Sequence, residues 1–366
     1  MVKTPSTQAQ NKIMGAKKLS KLSISTAEKL AIMSNFSTLL SAGISILETI
    51  DSLLEDAKGN QKKILENLRE DLVQGKRVYE SFARFPNVFN RVTVSIIKAA
   101  EESGTLDTTL KDLKDNIKKE TEFLDKVKSA LTYPLVIMVV FLGVLLTILI
   151  VVIPKISTVF TRLKVDLPLP TRIMIFVSNI MLQYTVPFLI GTALFIAFMI
   201  FLYKTKTKFF LGIIFSLPLV SDLVKQIDLV RFTRSLNYLL SSGIPIVSAL
   251  ELSEEVVLRK DISAVIHNSK EMIISGKKLS EGLKSAKGKI PSIMIKIIEA
   301  GEKSGTLDRS LKDISEYLDY QVTNTLHTLT TLLEPIMLVF VGIMVGGMML
   351  AIIGPIYNLI GQVGKR

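Results

Sequence analysis

The 366-residue chain has no cysteine, no tryptophan and only two histidines. The absence of cysteine excludes disulfide bonds and thiolate chemistry. His267 and His327 stand far apart without the spacing of a metal-binding pair, so each is interpreted as a plain polar residue. A phosphate-binding glycine-rich loop and a serine nucleophile elbow are also missing. These absences argue against an enzyme and predict no catalytic residue, no metal and no cofactor.

The composition is typical of a membrane protein with sizeable soluble domains. Hydrophobic residues make up 48% of the chain and the mean hydropathy is positive, yet 21% of the residues are charged and must lie outside a bilayer. The net charge is +12. Basic residues are spread among carboxylates without an aromatic-basic motif, so nucleic acid is not the expected partner. Anionic lipid headgroups fit this charge better.

A five-residue motif, Ser-Gly-Thr-Leu-Asp, occurs at residues 103–107 and again at residues 304–308. The flanks repeat at the same offset of 201 residues, since Gly75-Lys76 matches Gly276-Lys277 and Pro134 matches Pro335. In each copy a charged helical stretch follows the motif, and then come a proline and an uncharged apolar run. The chain is therefore interpreted as a duplication of a soluble module that ends in a membrane helix.

The residue types in the motif predict a corner between two helices. Gly104 and Gly305 can adopt the left-handed conformation that ends a helix. The threonine that follows each glycine can cap the next helix, and the aspartate places a carboxylate in its first turn, where the helix dipole favours it.

Glu101 and Glu302 precede the two motifs at equivalent positions in the last turn of a helix. A negative charge there opposes the helix dipole by a few tenths of a kcal/mol. Two interpretations remain open for a residue present in both copies at this position. The carboxylate contacts a partner, in which case Glu302→Lys should weaken binding to that partner, or it is a solvated charge. Under either interpretation the position is an exposed helix end, so Glu302→Lys should leave the fold intact.

Helical periodicity runs through the first module, from residue 25 to about residue 130, without strict alternation. Ser25 or Thr26, with Glu28, is expected to open the first helix, and Gly43 to end it. Further helices are predicted over about 61–74, 78–85 and 88–103. After the corner, apolar residues spaced by three, four and seven form a packing seam, either for the module's own bundle or for a partner: Leu110, Leu113, Ile117, Leu124, Val127 and Leu131.

Three membrane spans are predicted. Residues 135–153 are uncharged for 19 positions, and Pro134 is expected to kink the helix at the membrane entrance. The next stretch, 154–172, is interpreted as a polar loop. Residues 173–203 are uncharged, with an interfacial first third and a span over about 186–203. The apolar run 209–220 is too short to span and is expected to be buried or to lie on a surface.

The last span starts at Pro335 and runs to about residue 353, with uncharged residues continuing to residue 364. It carries two overlapping pairs of small residues at a spacing that lets helices approach closely: Gly342, Gly346, Gly347 and Ala351. Packing against this chain's own spans and dimerisation both remain open.

The resulting prediction is an all-α chain with two homologous bundles of about six helices each and three transmembrane helices. The segments are a basic, disordered N-terminal arm, the first bundle, the first span, an extracytoplasmic loop with an interfacial segment, the second span, the second bundle, and the third span with its extension. Their bounds are 1–24, 25–132, 133–153, 154–185, 186–203, 204–333 and 334–360. Because homologous modules should share a compartment, both modules and the N-terminus are predicted to be cytoplasmic and the C-terminus extracytoplasmic.

Several repeated residues resemble the type II secretion F family, the inner-membrane platform proteins of type II secretion systems and type IV pili. A glycine ends the first helix in each copy, at Gly43 and Gly243. The corner has the form Glu-x-Ser-Gly-x-Leu, and a proline opens each outgoing span. The matching residues are Glu101, Gly104, Leu106 and Pro134 in the first copy and Glu302, Gly305, Leu307, Glu334 and Pro335 in the second.

The resemblance implies a non-enzymatic platform protein in the inner membrane. This platform is expected to be an oligomer, with a dimer as the expected state. Its implied partners are a cytoplasmic hexameric assembly ATPase, prepilins or pseudopilins, and other inner-membrane assembly proteins. A transporter subunit and a membrane signalling scaffold are the alternatives. A transporter should carry polar and charged residues at bilayer depth, and the predicted spans have few of them.

Overall fold

The computed structural model describes residues 19–163, 169–183, 218–286 and 288–363, and within these ranges the chain is all-α, as predicted, with no β-strand. The first module has five helices before its corner, close to the predicted bounds. They are α1 (Thr26–Ser41), α2 (Ile46–Asp56), α3 (Gly59–Val73), α4 (Val78–Ala83) and α5 (Arg91–Ser103).

The second module repeats this order of helices. Its elements are α9 (Pro218–Ser241), α10 (Ile246–Glu254), α11 (Lys260–Ile274), α12 (Leu279–Lys284) and α13 (Ser292–Ser304). Core positions repeat as well, because residues 201 positions apart are fully buried in both copies: Leu65 with Ile266, Ile97 with Ile298, and Leu110 with Leu311. The duplication inferred from the motif therefore extends to the packing of the two bundles.

The first helix starts where the capping signals predict. Ser25 is the N-cap of α1, its backbone N–H donates to Glu28 Oε2 at 2.7 Å, and Glu28 N–H donates to Ser25 Oγ at 3.2 Å. The bonds from the Ser25 backbone and hydroxyl lower the pKa of Glu28. The end of the predicted N-terminal arm is also attached, since the carbonyls of Ser20 and Ser23 accept bonds from Asn87 and Asn60, both at 2.9 Å.

Two long helices follow the corners, α6 (Leu106–Thr147) and α14 (Leu307–Val363). Each continues through the proline that opens its apolar run, Pro134 or Pro335, and each contains a segment long and apolar enough to cross a membrane. Helix α14 extends well beyond residue 353, as the uncharged C-terminal sequence suggested. The predicted span 186–203, the run 209–217 and the arm up to residue 18 lie outside the described residues.

The stretch after the first span differs from its prediction as a polar loop. A π-helical turn (Ile148–Val152) follows α6, and the chain continues as α7 (Ile153–Leu163) and α8 (Leu169–Gln183). The interruption has a local partner, because the buried Ser178 hydroxyl of α8 donates to the Leu149 carbonyl at 2.6 Å. Hydroxyl bonds of this kind stabilise a helix where its own bonding pattern changes. Polarity alone did not distinguish a loop from these helices.

The chain divides into two compact units. One comprises the described residues of Met1–Asp125 and Val224–Val322, and so contains both modules. The other comprises those of Lys126–Leu223 and Thr323–Arg366. In the second unit, Phe141 of α6 and Phe340 of α14 meet edge-on with ring centroids 5.8 Å apart.

Aromatic rings fill the centre of the first module. Phe36 lies 6.0 Å from Phe82 and Phe82 lies 4.5 Å from Phe89, measured between ring centroids, and all three rings are buried. The start of the predicted seam, Leu110 and Leu113, is buried with them. The first turns of α6 are therefore buried within the unit that contains both modules, and a partner contact farther along the seam stays a prediction.

Candidate functional site

The two corners have the same geometry in both copies. Gly104 and Gly305 end α5 and α13 with φ of 72° and 73° in the left-handed region, as predicted. The N–H of the following threonine donates to the carbonyl of Ala100 or Gly301 at 2.9 Å in each copy, which closes the helix end. Leu106 and Leu307, both half-buried, begin the next helices.

The hydroxyls of the corner also repeat. Ser103 Oγ donates to the Ala99 carbonyl at 2.8 Å, and Ser304 Oγ donates to the Ala300 carbonyl at 2.9 Å. Thr105 and Thr306 directly precede α6 and α14, but their side chains pair with these serines, at 2.8 and 2.7 Å. The threonines thus stand immediately before the next helices and their hydroxyls link the two sides of the turn, while a cap bond from them stays a prediction.

Glu101 and Glu302 bind backbone amides at the start of the short helices α4 and α12. Glu101 accepts the N–H of Val78 at 2.9 Å and of Tyr79 at 3.1 Å. The second copy repeats this arrangement, with Glu302 accepting the N–H of Leu279 at 2.6 Å and of Ser280 at 3.1 Å. Neither short helix has a side-chain cap from its own N-cap residue. A glutamate from the next helix therefore serves as the cap.

These bonds overturn one expectation about the glutamates. The carboxylates are half-buried and bonded within the module, so the interpretation as solvated charges on exposed helix ends is wrong. A bond to an ionised acceptor is stronger than a neutral one, which outweighs the weakly unfavourable helix dipole. A contact of Glu101 or Glu302 with a partner protein stays a prediction.

A buried aspartate, Asp71, stabilises the first module and was not anticipated from the sequence. It lies on α3, is 1% exposed, and pairs with Lys76 and Arg84. Burial alone would raise the pKa of Asp71, but the bonds from Lys76 and Arg84 outweigh it and the pKa is lowered. The available signal was its position three residues after the core residue Leu68, followed closely by basic residues. The second copy has Met272 at the equivalent position.

The second module has its own buried aspartate. Asp228 on α9 accepts the N–H of Leu258 at 3.1 Å and of Arg259 at 2.7 Å, just before α11 begins. Burial raises the pKa of Asp228 despite these bonds. Asp228 thus anchors the start of α11, which lacks a side-chain cap from Arg259.

The two modules contact each other within their unit. Arg234 of the second module lies over the Phe123 ring of the first, with its guanidinium carbon 5.4 Å from the ring centroid, and also pairs with Asp319 at 2.9 Å. Arg91 of the first module pairs with Glu255 of the second. A cavity of about 240 Å³ beside Arg234 is lined by residues of both modules. In the described part of the chain no group of histidines and carboxylates could hold a metal ion.

The remaining predicted residues lie along the helix ends and the last span. Gly43 and Gly243 follow the ends of α1 and α9, as predicted. Glu334 and Pro335 are exposed within α14. The small residues of the last span also lie on α14, and a Cβ placed on Gly342, Gly346 or Gly347 would meet no described atom within 4 Å. For Ala351 the structure describes the helical backbone only.

Comparison of the chain with known proteins identifies its family. The sequence profile of the family "Type II secretion system (T2SS), protein F" matches residues 32–154 and residues 232–355. The chain belongs to this family. The two matched segments coincide with the two copies of the module and its outgoing helix, which confirms the duplication.

Named relatives come from both branches of the family. The chain is 30% identical to the type IV pilus assembly protein PilC of Thermus thermophilus, over 92% of this chain and 84% of the relative. It is 28% identical to PilC of Myxococcus xanthus, over 90% and 79%. It is 29% identical to type II secretion system protein F of Pseudomonas aeruginosa, over 93% and 84%. The protein is therefore a component of a pilus assembly or type II secretion machine.

Proposed function

We propose that this protein is the inner-membrane platform of a type IV pilus or type II secretion machine. In this proposal it couples a cytoplasmic hexameric ATPase to the extraction and polymerisation of prepilins or pseudopilins. The names of the relatives support a role in one of these machines, and none of them specifies the coupling.

One observation supports mechanical coupling. In each copy an unbroken helix leads from the corner of a soluble bundle into an apolar segment that can cross a membrane. Helix α14 has 57 residues and is therefore about 85 Å long. A continuous helix fixed at a well-bonded corner can carry a rotation or displacement of its bundle along its length. The duplicated corner, with its internal carboxylate cap, provides the rigid end that such transmission requires.

The proposed location follows from the same duplication. Both modules lie on the cytoplasmic side, where an ATPase can reach them, and the C-terminus lies outside. The chain acts as an oligomer, with a dimer as the smallest assembly, and it contacts other inner-membrane assembly proteins. Its basic surface faces anionic lipid headgroups.

Co-purification tests the proposal directly. The full chain, tagged and reconstituted in nanodiscs, should capture the assembly ATPase of its own organism, and deletion of its gene should abolish pili or pseudopili while the ATPase level stays constant. A plasmid copy should restore assembly. Normal assembly in the deletion strain, or no capture of the ATPase by the intact chain, would contradict the proposed coupling.

A further inference from the structure

A cluster of lysines distinguishes one face of the second module from the equivalent face of the first. Lys278 precedes α12, Lys284 ends it, and Lys296 and Lys303 lie on α13, all four exposed. We refer to these four residues as the lysine face. Glu299 lies among them, and the bond from Lys303 together with the charges of Lys303, Lys284 and Lys278 lowers the pKa of Glu299.

The first module shows that the fold does not need this charge. At the positions 201 residues earlier stand Arg77, Ala83, Ser95 and Glu102 in place of the four lysines, and Lys98 in place of Glu299. Over these five positions the second face carries a net charge of +3 and the equivalent face of the first module +1, a difference of two charges. Clustered like charges repel one another and do not stabilise a bundle by themselves.

The ion pairs on the two faces also leave more unbalanced positive charge in the second module. In the first copy Glu102 lies 3.8 Å from Arg77 and 4.0 Å from Lys98, so the cations there face a carboxylate. In the second copy, within the residues that the structure describes, Lys303 is the one member of the lysine face with an ion pair, to Glu299 at 2.7 Å. The lysine face therefore presents more positive charge than its own module balances.

An apolar residue adjoins these charges. Ile293 is 47% exposed and lies on the same side of α13 as Lys296 and Lys303, at spacings of three and ten residues. Interfaces between proteins combine an apolar contact with complementary charges around it. Glu299 weakens the attraction of this face for a uniformly anionic lipid surface, whereas a protein can place its carboxylates opposite the lysines alone.

We propose that the lysine face is a docking surface for an acidic face of a protein partner, and that the second module, not the first, makes this contact. The inference rests on the proposed function, in which the partner is the assembly ATPase. The duplication then has a division of roles, because one copy keeps a nearly balanced surface and the other carries the electrostatic contact.

The test compares two charge reversals of equal size in the full chain. Lys284→Glu with Lys296→Glu alters the lysine face. The matched control is Lys62→Glu with Lys63→Glu on α3 of the first module, where both lysines are exposed. Each variant is placed in phosphatidylcholine nanodiscs and its Kd for the ATPase is measured at several salt concentrations. We expect the lysine-face variant to bind about tenfold or more weakly and with a reduced salt dependence, and the control to bind like the wild type.

The outcomes separate this inference from the proposed function. If wild type and both variants bind the ATPase equally well, the lysine face is not its docking surface, while the coupling to the ATPase stands. If both variants lose the same affinity, the attraction is unspecific and the lysine face is again not the docking surface. No binding by the wild type would remove the proposed function and the docking surface together. The same measurement is repeated in nanodiscs that contain phosphatidylglycerol. If the lysine-face variant binds the ATPase more weakly only in these nanodiscs, the lysine face contacts lipid and the inference is wrong. Lys284→Gln with Lys296→Gln, which introduces no new charge, should show an intermediate loss if the reversed variant misfolds.

Discussion

The carboxylate of Glu302 accepts the backbone N–H of Leu279 at 2.6 Å, which ties the last turn of α13 to the first turn of α12. Glu101 and Val78 repeat the contact at 2.9 Å in the first module. Each contact joins the helix that precedes the corner to a six-residue helix too short to be stable by itself. The glutamate that precedes the motif thus holds two helices of each module together.

Glu302→Lys is therefore expected to destabilise the second module. Hydrogen bonds to a charged group contribute about 1.5–3 kcal/mol, and the lysine would also place a cation against the N–H groups of α12. Hydrogen exchange of the amides of Leu279 and Ser280 should become faster in the full chain. Glu302→Gln, which keeps one acceptor oxygen, should show a smaller effect.

Glu281 provides the control for this experiment. It is an exposed glutamate in the first turn of the same helix, so Glu281→Gln removes a similar charge without removing the cap. Exchange rates in Glu302→Lys that match those of Glu281→Gln would show that the carboxylate does not hold the helix start.

Gly305→Val should also destabilise the second module. The position has a φ of 73°, and a Cβ there would meet no atom within 4 Å, so the cost comes from backbone conformation and not from a clash. Left-handed conformations cost residues with a side chain about 1–2 kcal/mol, and β-branched residues resist them most. Thermal unfolding of the full chain should shift downward for valine and much less for Gly305→Asn, because asparagine tolerates this conformation. Equal shifts for the two variants would contradict the role of the glycine.

The sequence predicted the corners well because they depend on local rules. A left-handed glycine, a cap position and a first-turn aspartate each follow from residues within a few positions of one another, and the exact repeat strengthened each inference. Glu302 shows the limit of such rules. Its partner amides lie 22 and 23 residues away, so the local pattern predicted an exposed helix end where the tertiary fold supplies two donors.

Asp71 and the α7–α8 region illustrate the same limit. Whether an aspartate within a helix is solvated or buried depends on cations brought in from other elements, here Lys76 and Arg84. The region after the first span has prolines and charges typical of a loop, yet its helices are compatible with Pro154 and Pro170 in their first turns, where proline is tolerated.

Asp71 should make the stability of the first module depend on acid pH. Its folded pKa lies below the ordinary value of 3.8, so its ionised form stabilises the fold at neutral pH, and this contribution is lost as the pH falls through the folded pKa. Asp71→Asn should cost about 1–3 kcal/mol at pH 7, since Lys76 and Arg84 are partly exposed and can turn to solvent. The difference from wild type should shrink below pH 3.8.

Urea unfolding followed by hydrogen exchange of α3 amides measures this difference at each pH. Asp51→Asn is the matched control, because Asp51 also pairs with an arginine, Arg69, but both side chains are about half exposed. Exposed ion pairs contribute little. An Asp71→Asn variant whose stability parallels that of Asp51→Asn across the whole pH range would contradict the role of the buried pair.

The glycines of the last span predict a close helix contact, either with another span of this chain or with a second copy. Open space around Gly342 and Gly346 leaves room for a second helix. If the oligomer uses this face, Gly342→Leu with Gly346→Leu should reduce dimer yield in chemical cross-linking of nanodisc samples. Val339→Leu, at a 63% exposed position of the same helix, should not. Unchanged cross-linking in the glycine variant would exclude this face from the dimer.

Topology is the prediction on which the proposed function depends most directly. Two modules with the same corners, the same glutamate caps and the same buried core positions should fold in the same compartment, because they are copies of one soluble module. Each copy ends in a helix that can leave this compartment, so the chain must return between them, in the segment that contains the predicted span 186–203. Reporter fusions after Gln74 and after Gly276 should therefore both be active as cytoplasmic reporters, and a fusion after Lys164 should be active outside. Opposite locations for the first two fusions would show that the modules do not share a compartment, and an ATPase could then contact one module at most.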